Sequence, residues 1–121
     1  MPVLPPPFIC AVVSVYDADG PIRCVNGIKV RVAGINARET DGSCRINAPC
    51  PTMPHEQAKP IVERLVLHKR LFCQPVGRSY HRVVARCTLP DGRSLSCAII
   101  AAGAGVRWDR YWQQYRMGEC R

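Results

Sequence analysis

The chain has 121 residues, about the size of one ordinary domain, so we expect a single hydrophobic core. Seventeen lysines and arginines against nine aspartates and glutamates give a net charge of +8, which favours an anionic partner such as nucleic acid, an acidic membrane surface or an acidic protein. No run of about 18 apolar residues occurs, so a membrane-spanning helix is excluded.

Three short strands are predicted in the first third of the chain. Residues 8–16, FICAVVSVY, are β-branched and aromatic, and DADGP then supplies turn residues. The strand IRCV follows, and NG forms a second turn before IKVRVAGI at residues 28–35. This pattern predicts an antiparallel three-strand meander.

A loop and a helix are predicted next. Residues 40–54, TDGSCRINAPCPTMP, are rich in turn-forming residues and should lie on the surface. From residue 53 to residue 69, apolar side chains recur at spacings of three and four, which is typical of one helix face. Pro60 interrupts this pattern, so it either marks the first turn, with the helix beginning near Ala58, or kinks the helix.

Two more strands and a short helix are predicted in the second half. LFCQPV and RVVARCTL read as strands around GRSYH, and LSCAIIAAGAG reads as a helix that ends at Gly103 or Gly105. Five short strands with a helix between the third and the fourth follow the order of an OB-type barrel. We therefore predict one α+β domain over residues 1–121, an OB-fold five-stranded Greek-key barrel with two or three helices and a short Pro-rich N-terminal tail.

Eight cysteines are a high and even number for this length and indicate an oxidising compartment. None has C-x-x-C spacing, so CRINAPC is a better local disulfide, Cys44 with Cys50, than a zinc site with His55. The remaining pairing cannot be read from the sequence. We expect an exported protein whose leader would have been removed before this numbering, because MPVLPPPFIC lacks the features of a signal peptide.

Several charged side chains fall at predicted turns and strand ends: Asp17, Asp19, Arg31, Glu39 and Arg82. Carboxylates in the DADG turn could hold a hard cation such as calcium, with an amide oxygen from Asn36. The arginines could grip a phosphodiester, and the carboxylate of Glu39 could deprotonate water. Plain turn chemistry for the aspartates and a structural ion pair between Arg31 and Glu39 are the alternatives.

In their order along the chain, these residues resemble the staphylococcal nuclease-like (thermonuclease, SNase) family over about residues 8–112. That family has an acidic turn D-G-D-T, a block R-L-x-G-I-D-A-P-E and a Y-G-R motif, where this chain has DADG, RVAGINARE and YHR. Its DGRSLSCAIIAAGAG and RWDRYWQQY segments also resemble the end of the family's domain. The resemblance implies an OB-fold, calcium-dependent phosphodiesterase that acts on DNA or RNA.

The resemblance implies a role for each matching position. Arg31 and Arg82 match the phosphate-binding arginines, and Glu39 matches the proposed general base. Tyr80 matches a tyrosine that lies along the bound nucleotide, and His81 replaces the glycine of Y-G-R, where it could touch phosphate or fill the loop.

The implied calcium ligands are less complete. Asp19 matches a ligand, Asp17 matches an acidic residue near the metal, and Ala37 could offer its backbone carbonyl. Asn36 stands where the family has a second aspartate, which removes one negative charge, and Arg38 replaces a proline and adds a positive one. The resemblance therefore implies that the phosphate-binding arginines and the general base are present, and that calcium binding is weak or absent.

Two further groups have alternative interpretations. We expect His55 and His68 to be surface residues near the ends of the first helix. The four C-terminal aromatic side chains could stack on bases or pack a terminal helix on the barrel, and we favour packing; they are Trp108, Tyr111, Trp112 and Tyr115.

The sequence thus predicts a monomeric SNase-like phosphodiesterase with weakened calcium dependence or activity, with nucleic acid as its partner. One alternative is a catalytically inactive OB-fold module that binds nucleic acid or protein. Another is a structural, disulfide-rich secreted module. The choice between DNA and RNA stays open, because a phosphate grip carries no base information.

Overall fold

The computed structural model describes residues 3–120. In chain order its elements are β1 Phe8–Val15, β2 Ile22–Cys24, β3 Lys29–Val32, β4 Ile35–Asn36, α1 His55–Val66, β5 Arg70–Ser79, β6 Arg82–Thr88, α2 Leu95–Ala101, β7 Val106–Arg107 and α3 Asp109–Gln114. Five strands form a closed barrel in the order β1-β2-β3-β6-β5, and β4 pairs with β7 in a separate two-stranded sheet. The predicted five-stranded barrel with helices is present, with three short helices.

The predicted meander forms the first half of the barrel. Strand β1 pairs antiparallel with β2, and β2 with β3, so that Ile22 lies opposite Val30. The tight turn before β3 contains Gly27 at φ 88°, a conformation that favours glycine. Alternate apolar residues of these strands point inward and are buried in the core.

Two long-range pairings close the barrel. Strand β1 pairs antiparallel with β5, and β3 pairs parallel with β6, where Arg31 lies opposite Val84. The side chains of Val30 and Val32 are fully buried inside the barrel. Since side chains alternate along a strand, the side chains of Lys29 and Arg31 leave β3 on the face opposite to Val30 and Val32.

Helix α1 has the predicted apolar face and begins before Ala58, the start that one of the two alternatives for Pro60 implied. Its buried residues are Ala58, Val62 and Val66, four residues apart. The helix begins at His55, and Pro60 is therefore in its interior. The expectation that Pro60 marks the first turn is wrong, because five residues precede it in helical conformation.

The second half of the chain follows the prediction with two additions. Helix α2 ends at Ala101, just before the predicted stop at Gly103, whose φ is 77°. The amides of Gly103 and Ala104 donate to the carbonyls of Ile100 and Ile99. Strand β5 runs on to Ser79 through residues expected to form a loop, with a register shift after Pro75. The β4–β7 pair was not predicted.

All eight cysteines form disulfides: Cys10–Cys24, Cys44–Cys50, Cys73–Cys87 and Cys97–Cys120. The predicted Cys44–Cys50 bridge is confirmed and closes the loop before α1. These bridges are compatible with an extracellular or otherwise oxidising compartment. None of the helices in residues 3–120 has the length and apolarity that a bilayer crossing requires.

Candidate functional site

Arg31 lies at the centre of the site and is 6% exposed. Its Nη1 donates to the carbonyls of Asp19 at 3.1 Å and Val32 at 2.9 Å, and its Nη2 donates to the carbonyl of Ile35 at 2.8 Å. Nη2 also lies 3.4 Å from Oδ2 of Asp19. Burial lowers the pKa of Arg31, and the charge of Asp19 opposes this effect. The guanidinium is thus fixed by the backbone, and only Nε takes no part in these contacts.

The acidic turn between β1 and β2 holds two buried carboxylates. Oδ2 of Asp19 accepts a hydrogen bond from the amide of Ala37 at 3.0 Å. Oδ1 of Asp17 accepts one from the amide of Ala18 and lies 3.0 Å from Nδ1 of His55. Burial raises the pKa of both acids, and the charge of Asp19 raises that of Asp17 further.

His55 is not the surface residue that we expected. It is the first residue of α1, as predicted, but its side chain is only 15% exposed because it faces Asp17. His68 is exposed just beyond the end of α1, in agreement with the prediction. The sequence carried no signal for the His55–Asp17 contact, since 38 positions separate the two residues.

Asn36 is fully buried in β4. Its Nδ2 donates to the carbonyl of Pro49 at 2.9 Å, whereas its Oδ1 is a buried acceptor without a partner among residues 3–120. Arg38, the next charged residue, donates to the carbonyls of Pro51 and Gly42. Its guanidinium therefore anchors the disulfide loop.

These donors do not fit a tight calcium site. Calcium takes six to eight oxygen ligands. The acidic turn and β4 offer the carboxylates of Asp17 and Asp19 and one amide oxygen, and both carboxylates already have protein partners. Within the described part of the chain, no group of three or more His, Cys, Asp or Glu side chains is arranged to hold a metal ion.

Glu39 lies at the base of the disulfide loop with a partly exposed side chain, and its Oε1 is 3.3 Å from Nε of Arg45. Its negative charge is a minor contribution that raises the pKa of Asp17, Asp19 and Arg31. Arg45 was not foreseen as a site residue. Its position beside Cys44 was the available signal, because the disulfide holds this stretch of loop in place.

Arg82 begins β6 and is partly buried. Its Nη2 donates to Oγ of Ser79 at 3.0 Å, and its Cζ lies 6.0 Å from the ring centre of Tyr80. The positive charges of Arg45 and Arg82 both lower the pKa of Arg31. Arg45 lines the cavity beside Arg31, whereas Arg82 does not.

Tyr80 and His81 form the exposed turn between β5 and β6. Tyr80 is 89% exposed and has a φ of 57°, and His81 is also exposed. Neither lines the cavity beside Arg31.

A cavity of about 140 Å³ opens beside Arg31. Its wall combines basic and aromatic side chains, and its lining includes Arg31, Arg45, Arg78, Trp108, Tyr111 and Tyr115. The rings of Trp108 and Tyr111 meet edge to face at 4.8 Å, and Tyr111 stacks on Tyr115 at 5.7 Å. Arg78 was missed because GRSYH looked like a loop.

The C-terminal aromatic side chains divide between the two roles considered for them. Trp112 is 6% exposed and packs in the core, as we favoured. The other three, partly exposed, line the cavity.

Comparison with models of known protein families, and with curated protein sequences, finds no match for this chain.

Proposed function

We propose that this protein is an SNase-like phosphodiesterase that hydrolyses DNA or RNA slowly and holds calcium weakly. The observation that carries the proposal is the basic and aromatic cavity beside Arg31, one of whose lining residues, Arg45, pairs with Glu39 at 3.3 Å. Arginine guanidinium groups suit phosphate oxygens, and aromatic rings suit bases. The barrel order, with a helix between the third and fourth barrel strands, supports an OB-type fold.

In the proposed reaction, a water oxygen attacks phosphorus while a carboxylate oxygen of Glu39 takes the proton from that water. The phosphorus bond to the leaving sugar oxygen breaks in line with the attack, and that oxygen takes a proton from solvent water to become the product hydroxyl. Arg45 and Arg82 meet the negative charge that develops on the phosphoryl oxygens, and buried Arg31 adds its charge and its Nε–H. The donor set does not fit a tight calcium site, so no step is assigned to calcium, and the family's general-base role is carried here by Glu39 alone.

A second candidate function is a nucleic-acid-binding module without catalysis. Three contacts to backbone carbonyls and one to Asp19 occupy both Nη atoms of Arg31. A guanidinium held in this way contributes charge to a binding surface but has few hydrogen bonds left for a transition state.

Cleavage of single-stranded DNA and RNA with millimolar calcium, or with a chelator, tests both candidates. For a phosphodiesterase, we expect Glu39→Gln to lower the rate by about 100-fold or more, which is the usual loss on removal of a general base. Asn36→Asp would add a carboxylate that the native donor set lacks, so this variant should gain a calcium-dependent rate that the native protein does not have. Glu119→Gln, an exposed site elsewhere, should match the native protein.

Full activity of an Arg82→Ala protein would contradict the proposed mechanism. If neither the native protein nor Asn36→Asp cleaves, while binding persists in chelator and weakens steeply with salt, the binding module is the correct function. A protein that neither cleaves nor binds would refute both.

A further inference from the structure

A second, larger cavity is lined by residues of β1, β2, β3 and α1 and by two residues that flank the acidic turn. It measures about 470 Å³ and is lined by Ser14, Val15, Tyr16, Pro21, Arg23, Lys29 and Lys59. Tyr16 and Pro21 flank the turn that carries Asp17 and Asp19, but neither carboxylate faces this cavity. We call this cavity the basic cleft.

The basic cleft concentrates positive charge that the protein does not neutralise. Arg23, Lys29 and Lys59 take part in none of the ion pairs found in residues 3–120. Arg23 also lies directly opposite Lys29 in the β2–β3 register. Like charges at opposed positions destabilise a sheet, so an anion bound between them would relieve a repulsion that the free protein carries.

The remaining lining indicates which kind of anion fits. Ser14, opposite Arg23 in β1, adds a hydroxyl, and the ring of Tyr16 is 60% exposed. Hydrogen-bond donors beside an open aromatic ring suit a phosphate chain whose bases stack. An acidic peptide would use the charges but would not need the ring.

The basic cleft is also aligned with the candidate site. Lys29 and Arg31 are two residues apart on the outer side of β3, a separation of about 6.6 Å along the strand. One cavity contains Lys29 and the other contains Arg31. An extended polyanion could therefore contact the linings of both cavities, although Arg31 itself is buried.

We propose that the basic cleft is a second binding site for the phosphodiester backbone of a single-stranded nucleic acid that extends beyond the site at Arg31. This inference rests on the proposed function for its choice of nucleic acid. It assigns Arg23, Lys29 and Lys59 to phosphates outside the reacting one, and Tyr16 to a stacked base.

The test compares binding of a short and a long strand, a dinucleotide and a 15-nucleotide single-stranded DNA, in chelator so that no cleavage is needed. In Arg23→Gln/Lys29→Gln, loss of two phosphate contacts should reduce the salt slope for the long strand by about 1.4 and its affinity about tenfold at 0.15 M salt. Dinucleotide affinity should not change. Arg64→Gln/Arg70→Gln removes the same charge from exposed positions outside both cavities and is the matched control.

Lys59→Gln, on a different element, should weaken long-strand binding about fourfold by the same rule. Equal binding by the Arg23→Gln/Lys29→Gln variant and the native protein would overturn the inference, as would an equal loss in the control. Preserved strand binding with loss of heparin binding would show a sulfated-glycan site instead. If the native protein binds no nucleic acid of either length, the proposed function fails as well, whereas failure confined to the long strand leaves it standing.

Discussion

Arg31 illustrates how one buried charge can serve both the fold and the site. The guanidinium connects the acidic turn, β3 and β4 through three carbonyls and Asp19. Removing one member of a buried ion pair leaves the other without compensation, which is more costly than losing an exposed contact. Activity lost on substitution of Arg31 would therefore mix unfolding with chemistry.

We expect Arg31→Gln to lower the free energy of unfolding by about 3–5 kcal/mol, the usual cost of breaking a buried pair. Arg82→Gln, which loses a partly buried contact to Ser79 and an exposed one to the Tyr80 ring, should cost about 1 kcal/mol. Urea denaturation of the two proteins checks the difference. Equal costs would mean that the Asp19 contact adds nothing to stability.

Asp17 provides a prediction about pH. Burial and the charge of Asp19 raise its pKa, with His55 opposing, so the folded state disfavours the ionised carboxylate. A raised pKa gives stability at low pH that is lost as the pH rises through the folded value. Asp17→Asn should therefore raise the melting temperature at pH 7, and the gain should vanish as the pH falls below the ordinary aspartate range.

Asp41→Asn is the control of opposite sign. Hydrogen bonds from Ser43 lower the pKa of the exposed Asp41 carboxylate, so its stabilising effect is present at neutral pH and is lost in acid. This variant should melt at or below the native temperature at pH 7. A lower melting temperature for Asp17→Asn at pH 7 would contradict the assignment of burial as the dominant cause.

At the scale of elements, the absence of a side chain at one glycine allows the C-terminal helix to pack against the barrel. Gly34 lies between β3 and β4 at φ 79°, and a Cβ atom there would meet Cε3 of Trp112 at 2.8 Å. Trp112 belongs to α3 and donates from Nε1 to the carbonyl of Gly118. The ring therefore packs α3 directly against the backbone of this turn.

Gly34→Ala should destabilise the protein by about 2–4 kcal/mol, because overpacking adds to the cost of a left-handed backbone. Gly27→Ala has the matched backbone, φ 88°, but its Cβ would meet nothing within 4 Å, so about 1 kcal/mol is expected. Tryptophan fluorescence during urea unfolding measures both variants. Equal destabilisation would exclude the contact with Trp112 as the cause.

Elements with strong local signals were predictable from the sequence, and elements made by long-range contacts were not. The meander followed from its turn residues, and the end of α2 followed from Gly103. The β4–β7 pair has two residues in each strand, too few for any periodicity. The extension of β5 to Ser79 was hidden because Gly, Arg and Ser are typical of loops.

The candidate site was predicted in part for the same reason. The sequence indicated the residues of the acidic turn and the two arginines, because each falls at a predicted turn or near the end of a predicted strand. It did not indicate that the backbone would occupy most of the Arg31 guanidinium, nor that His55 would reach Asp17. Such contacts depend on how distant elements pack.

At the scale of the whole molecule, covalent cross-links are a large part of the stability. Each native disulfide typically contributes about 2–4 kcal/mol, and a domain of this size usually has about 5–15 kcal/mol in total. Four bridges together are comparable with that total. The fold is thus suited to an environment in which the bridges persist.

We expect the fully reduced chain to lose its cooperative thermal transition at 25 °C and above. Circular dichroism and tryptophan fluorescence in reductant, beside the oxidised protein in the same buffer, measure this loss. A sharp transition in reductant would mean that packing alone maintains the barrel.

No disulfide links the part of the chain before α1 to the part after it. Two bridges lie before α1, namely Cys10–Cys24 and Cys44–Cys50. The other two, Cys73–Cys87 and Cys97–Cys120, lie after it. A cut between Cys50 and His55 would sever no bridge. It would leave two fragments, each with two disulfides of its own, which pair with each other through β1–β5 and β3–β6. Neither fragment alone can close the barrel. The protein is therefore suited to fragment complementation, in which two separate fragments associate to restore the fold.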